Sequence, residues 1–83
     1  MEQEKVTVIF NIPKRNFSVD LDIPLNITAN DLFIALNDAY NLGVDITDIN
    51  RCYLKAEKPI GFIKGNRMLG EFGLRDGSNL YFI

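Results

Sequence analysis

The chain has 83 residues, 47% hydrophobic and 24% charged, with a net charge of −2; this describes a single globular domain near the size where one core is just sufficient, and it argues against disorder. Lysine and arginine form no cluster, which excludes the basic face that nucleic acid requires and a polybasic membrane-surface site. There is no histidine and one cysteine, Cys52, so imidazole acid–base chemistry, an imidazole zinc site and an internal disulfide framework are all excluded.

The opening Met1 to Glu4 is polar and is expected to fray. It has no apolar stretch after it of the kind a signal peptide needs, and no apolar run approaches the roughly 20 residues of a membrane span. A soluble, cytoplasmic chain with no direct membrane insertion is therefore expected. Lys5 to Ile12 alternates, with Val6, Val8, Phe10 and Ile12 on one side and Thr7, Ile9 and Asn11 on the other, the period of a strand. Pro13 to Asn16 reads as a turn. Phe17 to Ile23 alternates again, with Phe17, Val19, Leu21 and Ile23 inward and Ser18, Asp20 and Asp22 outward, so the two runs make a hairpin that Pro24 stops.

Thr28 to Gly43 is the only good helix. Thr28 has N-cap chemistry and Asp31 stands where a capping-box acid stands, while Ile27 and Leu32 can close a hydrophobic staple. Gly43 is the expected left-handed terminator. Leu32, Ala35, Leu36 and Ala39 share a face flanked by Phe33, Tyr40 and Leu42; Ile34, Asn37, Asp38 and Asn41 point away. The loop that follows should carry Val44, Ile46 and Ile49 back across the core. Arg51 to Glu57 is a third strand, with Cys52, Leu54 and Ala56 inward. Phe62 to Lys64 is a short fourth, Met68 to Leu74 contains a 3₁₀ turn anchored by Leu69, Phe72 and Leu74, and Asn79 to Ile83 is the last strand.

Hairpin, helix, strand, short strand, turn and strand, in that order, resemble the ubiquitin-like β-grasp. The segment from Arg67 to Ile83 carries most of the likeness: Leu69, Phe72 and Leu74 match its three buried positions, and Leu80 and Phe82 the inward positions of its final strand. The resemblance implies an α+β fold, a mixed sheet of four or five strands with one main helix on one face, as a single domain over residues 1–83. Within that superfamily the chain looks most like the small YukD/EsaB proteins of Gram-positive type VII (ESX-like) secretion. The shared features are its length, the polar start before Lys5-Val6-Thr7-Val8, the N-capped helix, and Asp76-Gly77 before the last strand. That likeness implies a cytosolic accessory or regulatory component with a protein partner in the secretion machine, no cofactor and no enzymatic activity. Two alternatives stay open. Ubiquitin-like carriers of sulfur or conjugation chemistry work through a terminal Gly-Gly; the sequence stops at Phe82-Ile83, so that use is expected to be excluded unless a longer precursor exists. A ubiquitin-like domain excised from a larger membrane subunit is the other.

No catalytic, cofactor-binding or metal site is expected. Cys52 falls on the inward side of a strand, where a thiol behaves as a small hydrophobe. Asp20 and Asp22 make a polar strand face. Asp45 and Asp48 lack the spacing of a calcium loop; a plain loop is expected, with Asp45 or Thr47 capping a turn. Gly61, Gly65 and Gly70 make no phosphate cradle. The candidate site is a surface instead: in a β-grasp one sheet face is open, and Ile9, Tyr53, Lys55, Tyr81 and Ile83 are placed on it, a contiguous patch of the kind that marks protein binding. The strands at Phe17–Ile23 and Phe62–Lys64 are candidate edges for weak homodimerisation.

Overall fold

A long hairpin opens the fold. In the computed structural model, which describes residues 4–83, β1 (Lys5–Ile12) and β2 (Phe17–Pro24) pair antiparallel from Lys5↔Pro24 to Ile12↔Phe17. Met1–Gln3, most of the segment expected to fray, lie outside the described residues; the Glu4 carbonyl accepts a bond from the Leu25 N–H. The turn is a 3₁₀ segment, Pro13–Arg15, closed by Asn16 in the left-handed region at φ 52°, where asparagine is among the better tolerated residues. Pro24 is the last residue of β2 and not the residue after it.

The chain then crosses under the sheet as α1 (Ala29–Tyr40). The Thr28 hydroxyl accepts from the Asp31 N–H at 3.1 Å, and the Thr28 N–H donates to the Asp31 carboxylate at 3.2 Å, the expected capping box. The other end differs from expectation. Asn41, at φ 52°, terminates the helix, and Gly43 makes a second left-handed residue two positions later. Arg15 of the hairpin turn donates to the Tyr40 and Asn41 carbonyls, supplying from outside the cation that the last helical turn lacks. The buried stripe is Ala29, Leu32, Phe33 and Leu36, with Tyr40 half-buried, while Ala35 and Ala39 are exposed. Phe33 and Tyr40 pull the face round because an aromatic ring removes far more area from water than a methyl group. Ile34 is exposed, as expected, at 44%.

β3 (Tyr53–Glu57), β4 (Gly61–Lys64) and β5 (Asn79–Tyr81) complete one mixed five-stranded sheet in the order β2-β1-β5-β3-β4. β5 runs parallel to β1, with Phe10 opposite Leu80, and antiparallel to β3, with Ala56 opposite Leu80. The central strand is thus the last in sequence. Val8, Phe10, Ile12, Leu54, Ala56, Ile63 and Leu80 face α1 and form one core with Leu32, Phe33, Leu36, Leu69 and Leu74. Leu69 opens the 3₁₀ segment Leu69–Phe72, whose backbone is laced to the helix entry by Leu69 N–H to Ile27 O and Gly70 N–H to Leu25 O.

The loop after α1 crosses the core less fully than expected. Val44 is buried, held by Asn37, whose side-chain amide bonds both its N–H and its C=O; Asn37 therefore turns inward to the loop instead of pointing away. Ile46 and Ile49 stay outside, at 50% and 70% exposure. A second 3₁₀ segment, Ile49–Arg51, swings Ile49 outward immediately before Cys52 enters the core.

Candidate functional site

With α1 on one side, the sheet presents its other side to solvent. Alternation fixes what stands there: Ser18, Asp20 and Asp22 on β2, Thr7, Ile9 and Asn11 on β1, Asn79 and Tyr81 on β5, Tyr53, Lys55 and Glu57 on β3, and Phe62 and Lys64 on β4. Four of the five sequence-predicted residues are on this face. Tyr81 is directly opposite Lys55, and Lys55 in turn is opposite Phe62. Ile9 is opposite Asn79 and reaches Tyr81 only diagonally. Ile83 lies beyond the end of β5, 55% exposed, outside any strand pairing.

The predicted contiguous patch is therefore divided. Its middle is polar: the Asn11 side-chain amide donates to the Ile9 and Leu80 carbonyls at 3.1 Å each, so this group is spent on its own sheet. The Glu57 side chain, as an acceptor for the Tyr81 phenol, then desolvation and the carboxylate charge, raise that phenol above its ordinary range. The apolar part gathers at the β3–β4 corner. Here Tyr53 and Phe62 meet edge to face with ring centroids 5.6 Å apart, an arrangement the ring quadrupoles favour. Phe62, 56% exposed, was missed by the sequence reading. The signal is present, since an inward Ile63 puts both of its strand neighbours outward, but a stretch of three residues is too short to show a period of its own.

A cleft of about 600 Å³ opens beside this pair, lined by Ile49, Asn50, Tyr53, Phe62, Lys64, Gly65 and Arg67. Arg67 lies over the Phe72 ring at 5.1 Å and approaches Glu71 at 3.8 Å.

The remaining polar candidates have local roles. The Cys52 thiol is buried, donates to the Asp48 carbonyl at 3.4 Å, and is pushed up in pKa by desolvation and then by the Asp48 and Asp45 charges. Asp45 accepts from both the hydroxyl and the N–H of Thr47, at 2.7 and 2.9 Å, which caps the turn and lowers its pKa. Among the described residues, no three His, Cys, Asp or Glu side chains are grouped to hold a metal ion. No described helix is long and apolar enough to cross a membrane.

The same arrangement of strands and helix recurs in solved structures. A ubiquitin-like domain of tubulin-binding cofactor B superposes with a TM-score of 0.75 at 18% identity, over 96% of this chain and 89% of that one. The fold is the ubiquitin-like β-grasp. The C-terminal ubiquitin-like domain of mouse tubulin-specific chaperone e gives 0.72 at 13% identity over 98% and 87%. The ubiquitin-like domain of Plasmodium falciparum Dsk2 gives 0.60 at 18% over 94% and 97%. At these identities the likeness is one of fold. No family model and no curated protein matches the sequence.

Proposed function

We propose that the chain is a protein-interaction module that docks through its open sheet face and has no catalytic role. The observation that carries this reading is the Tyr53–Phe62 pair standing uncovered on that face, with Lys55 and Tyr81 adjoining it. Large aromatic side chains at a protein surface are the usual anchors of a binding site, and the charged neighbours set its rim. Ile9 on β1 and Ile83 beyond the end of β5 supply further apolar area. The partner we assign is a cytoplasmic component of a type VII secretion machine of a Gram-positive bacterium; the YukD/EsaB-like features of the sequence support it.

The test is co-purification from such a bacterium, comparing the wild-type protein with a Tyr53→Asp/Tyr81→Asp double variant whose fold has been verified by circular dichroism. Secretion components that accompany the wild type and are lost from the folded variant support both the partner and the face. Partners retained on the variant overturn the face. If no secretion component accompanies either protein, the secretion assignment falls.

A further inference from the structure

The β3–β4 corner is more than an end of the docking face. Its cleft has a floor of two aromatic rings, one aliphatic wall and a basic rim. Tyr53 and Phe62 form the floor. Ile49, 70% exposed, forms the wall because the 3₁₀ segment Ile49–Arg51 turns it out of the core. Gly65, at φ 87°, also lines the cleft, and a Cβ built there meets nothing within 4 Å, so the space above it is open. The volume of about 600 Å³ falls in the range of pockets that enclose a compact ligand group, about 300–1,000 Å³.

The charges at the rim run against the charge of the whole chain. The only ionisable side chains lining the cleft besides the tyrosine are Lys64 and Arg67, although the protein carries a net charge of −2. Lys64 makes no ion pair among the described residues. Arg67 is steadied by Phe72 and Glu71, which engages Nε and leaves terminal guanidinium donors for another acceptor. Of the acids on the face, Asp20 and Asp22 lie on β2 at the opposite edge of the sheet, and Glu57 stands at the end of β3 away from Tyr53, opposite Asn79. An acidic segment is thus repelled from one edge and drawn to the other. β4 is itself an edge strand, so its outer backbone edge pairs with no other strand and can support an extended chain.

We infer that this cleft binds a short acidic peptide segment of a partner protein, seating one large apolar side chain against Tyr53 and Phe62 and setting flanking carboxylates on Lys64 and Arg67. The inference deepens the docking reading by naming the chemistry of what docks. The two fail separately, because the peptide is tested on purified protein with no secretion component present.

The experiment is an amide chemical-shift titration with a synthetic peptide carrying a central leucine–phenylalanine pair between aspartates, and with a counterpart whose aspartates are lysines. The acidic peptide is expected to move the amides of Asn50, Tyr53, Phe62, Lys64 and Gly65, to bind more weakly as salt is raised, and to lose roughly fivefold or more in affinity on Lys64→Glu. Phe62→Ser, at an exposed position, is expected to abolish binding while the rest of the spectrum stays in place. Four results overturn the inference: equal binding of the lysine peptide, shifts centred on Ile9 and Tyr81, an unchanged affinity in either variant, or no shifts with the acidic peptide. Shifts at the cleft that appear on concentrating the protein alone also overturn it, because a second copy is then the occupant.

Discussion

Ser78 is the wholly buried polar side chain of the described residues, at 0% exposure, and it sits where the last turn enters the central strand. Its hydroxyl donates to the Lys58 carbonyl at 2.6 Å and accepts from the Arg75 N–H at 3.0 Å, tying the turn after β3 to the turn before β5. Ser78→Ala removes one oxygen and almost no volume, so the cavity contribution is small and the two hydrogen bonds dominate. Each orphaned backbone group costs about 1–3 kcal/mol when it stays buried. Lys58 and Arg75 are exposed residues, which lets water reach part of the way, so the low end applies and the total is about 2 kcal/mol. At about 4–8 °C per kcal/mol for a domain of this size, the melting temperature should fall by about 8–16 °C. Thermal unfolding followed by circular dichroism measures it, with Ser18→Ala on exposed β2 as a control expected to stay within about 0.5 kcal/mol of wild type. A Ser78→Ala protein that melts within a degree or two of wild type would refute the claim that this hydroxyl clamps the two turns.

Thr28→Ala removes one half of the capping box and should cost about 1 kcal/mol, seen as a fall of about 4–8 °C in melting temperature; no change would mean the helix entry is held by its backbone bonds to Gly65, Arg67, Leu69 and Gly70. Tyr81 should titrate above the ordinary tyrosine value of about 10, and Glu57→Ala should lower it toward that value, desolvation alone remaining, as followed by carbon-13 tyrosine resonances. Because the folded pKa is the raised one, the stabilisation from this pair is present below the ordinary value and is lost as pH rises through the folded one. Cys52 should react with a disulfide reagent such as DTNB far more slowly than the unfolded chain and speed up with urea as the core opens; full reaction at once in native buffer would contradict its burial.

Where the sequence reading succeeded, it rested on strict periods. Val8, Phe10, Ile12, Leu54, Ala56 and Leu80 alternate without interruption, and each is buried against α1. Several of its misses share a cause, the replacement of a regular period by a local turn; others, Ala35, Ala39 and Phe17, fall inside regular elements and are exposed there. Ile46 and Ile49 are aliphatic, yet an Asx turn at Asp45 and the 3₁₀ segment at Ile49–Arg51 decide their direction, and neither has a period to follow. Gly43 is the expected helix terminator because glycine enters the left-handed region at least cost, but Asn41 reaches it first and Gly43 repeats it. Ser78 gave no signal at all, since a serine beside a turn is usually solvated; only the fold shows that two chain segments converge on it. The candidate surface was legible as a face but not as a distribution, because which outward residues become neighbours depends on the strand order β2-β1-β5-β3-β4.

That distribution decides where binding energy can come from. Phe62 is 56% exposed; taking about 200 Å² for an aromatic side chain, about 110 Å² remains to be covered, worth about 2.5–3 kcal/mol at about 25 cal/mol per Å². Ile49, at 70% exposure, adds a contribution of similar kind across the cleft. The middle of the face has no such reserve. Asn11 is bonded to its own sheet, and Lys55 separates Tyr81 from Phe62, so a partner there meets polar groups, one of them already bonded, before it gains apolar area. A partner that begins at Tyr53 and Phe62 covers apolar surface first and meets Lys64 and Arg67 next. Affinity should therefore be lost most on truncating Phe62 and much less on truncating Ile9, although both stand on the same face of the sheet.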